Sequence, residues 1–211
     1  DTLHTISSGL QIPTMAILLF FIVATIAALG SLAIEFFTER HRLKESIPKL
    51  MDRLQDKSCE EIKEEIEKSK LLKRQKALLT ELVEHNFLSE VTLDALARRL
   101  ISQEELHYAK ITGRTDMIAR LGPMFGLMGT LIPLGPGLIA LGQGDTKTLA
   151  DSLLIAFDTT VAGLISAAVA ASISKLRGRW YEDYLTGLET LMSCILEEVK
   201  ADAYRSEKEP L

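Results

Sequence analysis

The chain has 211 residues, 47% of them apolar, 25% charged and 6% aromatic, and its 24 basic and 29 acidic side chains leave a net charge of −5. Two cysteines, Cys59 and Cys194, can build neither a disulfide framework nor a four-ligand zinc site, and a mildly acidic balance with no basic block among aromatic residues excludes a nucleic-acid partner. The charges avoid three stretches almost completely, which is the composition of membrane spans rather than of core helices.

Residues 1–11 form a short flank without Lys or Arg, and 12–36 read as the first span. No side chain from 12 to 34 is charged, and these 23 residues reach about 34 Å at about 1.5 Å each, enough to cross a hydrocarbon core of about 30 Å. A cleaved signal peptide is the competing reading; the flank lacks the basic residues it needs, and the run outlasts an apolar signal core. Asp1 rather than Met opens the chain, which leaves open whether residues precede it.

Residues 37–116 read as a cytoplasmic helical hairpin. Between 35 and 120 stand 17 basic and 17 acidic residues, and apolar side chains recur at helical spacing: Ile62 and Ile66, then Leu78, Leu79, Leu82 and Val83, then Leu93, Leu96, Leu100 and Ile101. A break is expected near 86–89, with the second arm running into the second span. The charge run 60–76 reads as a solvated face with i,i+4 pairs.

The second span, 117–143, is uncharged after Arg120 and crowded with Gly122, Gly126, Gly129, Gly135, Gly137, Gly142, Pro123, Pro133 and Pro136. A membrane tolerates such residues where neighbouring helices re-satisfy the backbone, and small side chains let helices approach closely. An outer turn follows at 144–147, then a third span, 148–174, broken only by Asp151 and Asp158. The remainder, 175–211, repeats the apolar spacing through Trp180, Tyr184, Leu188, Leu191, Ile195 and Val199 and reads as a helical continuation with a tail.

Basic residues mark the cytoplasmic ends of spans. Arg40, Arg42 and Lys44 follow the first, Arg114 and Arg120 enter the second, and Lys175, Arg177 and Arg179 follow the third. The N-terminus is therefore expected outside and the C-terminus inside, with both cysteines in a reducing compartment. The histidines, His4, His41, His85 and His107, are scattered, and no nucleophile set or phosphate loop accompanies them, so no enzyme is expected.

Polar residues within spans carry the functional information, because lipid makes them costly. Thr130 stands about 15 Å in from Arg120, and Thr160 falls near the middle of its span, so the two hydroxyls share a depth. Asp158 is an ionisable residue at mid-span, some 200° round the helix from Thr160; the two cannot point into one pore. Lys147, Asp151 and Asp158 form a single stripe, while Gly163, Ala167 and Ala171, beside Ser166, Ala170 and Ser174, form a small-residue face for close helix packing. That face predicts an oligomer.

The run Pro123-Met-Phe-Gly126-Leu-Met-Gly129-Thr130 resembles the second-span motif of the MotA/TolQ/ExbB proton channel family. Ala156-Phe-Asp-Thr-Thr160-Val-Ala-Gly163-Leu164 resembles its third-span motif, in which a threonine precedes Gly-Leu by three positions. The resemblance implies an all-α protein with three transmembrane helices and long cytoplasmic helical extensions, forming a ring of five subunits in the cytoplasmic membrane. It implies a single-span partner of the ExbD/TolR/MotB kind in the ring, whose aspartate carries a proton or sodium ion past Thr130 and Thr160, and it implies no cofactor. Val169 stands where the family often has a proline, Pro133 and Pro136 are additional, and Asp158 replaces a small or apolar residue. Asp158 either joins the ion path, holds a sodium ion with nearby hydroxyls, or braces two subunits. The rival expectation is a membrane scaffold that keeps the packing and conducts nothing.

Overall fold

The computed structural model describes residues 9–38 and 46–208. Most of the N-terminal flank and the basic residues Arg40, Arg42 and Lys44, on which part of the expected orientation rests, lie outside the described residues. The described elements are all helices: α1 (Gln11–Thr38), α2 (Ile47–Leu54), α3 (Cys59–Lys68), α4 (Lys73–Glu84), α5 (Glu90–Gly142) and α6 (Thr146–Lys208). Helices α1, α5 and α6 are each long and apolar enough to cross a membrane. The chain forms two compact units, Asp1–Leu32 with Lys110–Arg177, and Ala33–Ala109 with Gly178–Leu211.

In the first unit, α1 buries Thr14, Leu18, Phe21 and Thr25, which fall on one stripe at successive steps of four, three and four residues. Its other face exposes Ile12, Leu19, Phe20, Val23, Ile26 and Leu29, an apolar surface of the kind that lipid requires. Phe21 packs with Ile118 and Ala170 and meets Phe125 edge to face at 5.7 Å. Lower on α1, Ser31 Oγ accepts a 2.8 Å hydrogen bond from the buried Arg177 guanidinium. Thr25 Oγ1 is the one buried side-chain polar atom without a hydrogen-bond partner among the described residues.

The turn between α5 and α6 is built by two residues. Gly144 takes φ +80°, which a glycine adopts without steric cost, and its N–H donates to Leu141 O while Asp145 N–H donates to Ala140 O at 2.9 Å. Asp145 then caps α6, accepting from Thr148 N–H at 3.1 Å and from the Thr148 hydroxyl at 2.5 Å. The Thr148 hydroxyl foremost, and its N–H next, hold the Asp145 carboxyl below the ordinary aspartate range. Helix α5 remains continuous through Pro123, Pro133 and Pro136 to Gly142. The additional prolines therefore leave the outer half of this span helical.

In the second unit the residues picked out by helical spacing form the core. Ile62, Ile66, Leu79, Leu82, Val83, Leu93, Leu188, Leu191 and Ile195 are all buried in one cluster. The segment before α5 is three short helices rather than one hairpin arm. Glu61 Oε2 accepts from the Ser58 N–H at 3.0 Å and starts α3, and the Ser69 hydroxyl donates to Ile66 O at 2.6 Å where α3 ends. Asp56, at φ 57°, turns the chain between α2 and α3. The expected break after α4 occurs at residues 85–89.

Two further features stiffen this unit. Arg74 Nε donates to both carboxylate oxygens of Glu104 at 2.8 Å, and Glu104 is almost wholly buried. Tyr108 stacks on Tyr181 at 4.2 Å, with Tyr184 beside both, and Phe36 packs on Trp180.

Candidate ion-pathway seam

Helices α5 and α6 lie antiparallel in the first unit, and glycines set how closely they approach. A Cβ placed on Gly122 would fall 2.8 Å from Gly163 O and 3.0 Å from Ala167 Cβ; one on Gly163 would fall 2.7 Å from Gly122 O and 2.9 Å from Gly126 Cα. Backbone meets backbone here, so no side-chain rearrangement can make room. Further out, the Cβ position of Gly129 faces Thr159, and that of Gly137 faces Ser152. Glycines at the narrowest points are what let two membrane helices touch along this length.

The seam settles the disposition of the polar residues. Thr130 follows Gly129 by one residue and Thr160 follows Thr159 by one, while Gly129 and Thr159 face each other. In an antiparallel pair, stepping one residue forward on each helix, about 100° of rotation, turns both side chains to the same side. Thr130 and Thr160 therefore flank one side of the seam, within about 3 Å of a common level. Asp158 precedes Thr159 and so turns to the opposite side, where it is exposed between the exposed Leu154, Phe157 and Val161. The structure brings the two threonines together and keeps Asp158 apart from them within one chain.

Both threonines are half-buried and both spend their protons on their own helix. Thr130 Oγ1 donates to Leu127 O at 2.7 Å, and Thr160 Oγ1 donates to Ala156 O at 2.9 Å. A carbonyl can only accept, so each hydroxyl is fixed as donor to it and keeps its lone pairs for anything on the open side. Two such oxygens suit a cation or a group that brings its own proton.

Of the expected packing residues, Gly126, Gly129, Gly163 and Ala167 are buried in the seam region, Ala171 is half-buried, and Pro123 is exposed. Thr159 escaped the sequence reading. It is 9% exposed, fills the space opposite Gly129, and donates to Ile155 O and Ala156 O at 3.0 Å each. Its signal was the spacing Ser152, Ala156, Thr159, Gly163, Ser166, Ala170, Ile173, a stripe of alternating four- and three-residue steps that is buried throughout. No group of three or more His, Cys, Asp or Glu among the described residues could hold a metal ion.

Residues 36–190 match the family described as the MotA/TolQ/ExbB proton channel family. No curated protein matches the chain.

Proposed function

The chain belongs to the MotA/TolQ/ExbB proton channel family, whose proteins are channels and not enzymes, and on that premise we propose that it is the ion-conducting stator subunit of a rotary complex. In this reading a ring of copies, five by resemblance to the family, sits in the cytoplasmic membrane with each N-terminus outside and each C-terminus in the cytoplasm. The ring encloses a single-span subunit of the ExbD/TolR/MotB type. A proton or sodium ion passes between that subunit's carboxylate and the seam oxygens of Thr130 and Thr160, and its flow is turned into mechanical work.

The observation that carries this reading is the pairing of the two hydroxyls on one side of one seam, each with its proton committed inward. Asp158 stands outside the proposed path, because it turns to the other side of α6. An exposed carboxyl at mid-span cannot rest against lipid at acceptable cost, and it is assigned to a contact between copies. Family membership supports the same assembly; the small-residue face of Gly163 and Ala167, expected to meet another copy, is instead covered by α5 of the same chain.

Ion uptake into vesicles carrying this chain with its single-span partner tests the proposal. Proton or sodium uptake that falls to background in Thr160→Ala, and again when the partner's aspartate becomes asparagine, is the expected result. No uptake by the assembled wild-type complex makes the protein a non-conducting scaffold with the same packing.

A further inference from the structure

The seam holds one side chain whose shape decides where the two hydroxyls meet. Resting on the ion-path reading, we propose that Thr159 is a positioning residue: it keys into the gap left by Gly129 and so sets the register at which Thr130 and Thr160 lie together.

The other glycines of the seam differ from Gly129 in what they face. Gly122 and Gly163 meet backbone first, Gly122 with the Ala167 methyl beside it, Gly137 meets the unbranched Ser152 side chain at 3.0 Å, and a Cβ on Gly126 would find its nearest neighbours at 3.5 Å, ordinary contact. Only opposite Gly129 does a β-branched side chain fill the space, with Thr159 Cβ and Oγ1 both 2.6 Å from where a Cβ would stand and Cγ2 at 3.2 Å. The level thus has room for a Cβ from one helix and not from both. A β-branched residue is stiff at χ1 in a helix, and the Thr159 hydroxyl is tied to two carbonyls, Ile155 O and Ala156 O, at 3.0 Å each. Ala156 O accepts the Thr160 hydroxyl as well. The key and the site residue therefore hang on the same backbone atom, and the pair Gly129 and Thr159 adjoins Thr130 on one helix and Thr160 on the other.

The test is a reciprocal exchange in the full chain assembled with its single-span partner. Gly129→Ala places two Cβ atoms at one level and is expected to lower ion uptake at least about tenfold; adding Thr159→Gly returns a single Cβ to that level and is expected to restore it. Thr159→Ser, which keeps the two closest atoms, is expected to stay within about twofold of wild type. A second readout does not depend on conduction: with Cys59→Ser and Cys194→Ser as background, Thr130→Cys and Thr160→Cys are oxidised together and the intrachain cross-link is measured by mass spectrometry. Its yield is expected to drop with Gly129→Ala and to recover with Thr159→Gly. Wild-type uptake and wild-type cross-linking in Gly129→Ala overturn the proposal, as does a double variant that assembles without recovery in either measurement. No uptake in the parent chain, with the cross-link pattern as expected, removes the ion path and leaves the register intact.

Discussion

In the proposed path Thr160 contributes the lone pairs of its hydroxyl oxygen, and substitution can separate that role from packing. Thr160→Ser keeps the oxygen and is expected to conduct, whereas Thr160→Val keeps the volume and is expected to lose about a hundredfold in uptake. At the outer turn, Gly144→Ala puts a Cβ on a residue at φ +80° and should cost about 1 kcal/mol, and Asp145→Ala should lower the melting temperature by removing the α6 cap. Thermal unfolding of the purified complex measures both. The common depth of Thr130 and Thr160 was legible from their distances to the ends of the two runs. Thr159 adjoins Thr160 in sequence and was passed over, since its role depends on what Gly129 lacks across the seam.

Among the elements, α3 depends on charges that titrate. Lys57 Nζ bonds Glu65 at 2.9 Å with Arg53 near, and that bond chiefly holds the Glu65 carboxyl below the ordinary value of 4.5. A carboxyl lowered by folding stabilises fully above its unfolded value and loses that contribution as pH falls through its folded one. Acid is therefore expected to loosen the second unit below about pH 4.5, and more steeply in wild type than in Glu65→Gln; helicity followed against pH checks it. Arg74→Ala strips the partner from a carboxylate that is 1% exposed and is expected to destabilise by on the order of 2 kcal/mol, the half-exposed guanidinium reducing the loss typical of a buried pair. The core faces of these helices were legible from spacing. Their division into α2, α3 and α4 was not read, although Ser58 and Glu61 stand at the spacing of a helix start. The prolines of α5 misdirect in the other direction, because rules for water-exposed helices do not govern one packed within a membrane.

For the molecule, the three runs almost free of charge named the three helices long and apolar enough to span a membrane, whereas the proposed assembly would lie between copies, and in one chain the third run leaves Asp151 and Asp158 exposed. Asp158→Asn is expected to leave uptake within about twofold of wild type, and Asp158→Lys to prevent ring formation by adding an uncompensated cation at mid-span; native mass spectrometry and vesicle uptake check the pair. The commitment of both seam protons to Leu127 and Ala156 has one more consequence. A hydroxyl that relays a proton must give its own away on one side as it takes another on the other, and here giving it away means breaking the bond to the helix. In the proposed path the threonines are thus landing points and not a wire: a protonated carrier donates a hydrogen bond to their lone pairs and takes its proton with it as it moves. On that reading chloride, which needs donors, meets two hydroxyls whose protons are already committed.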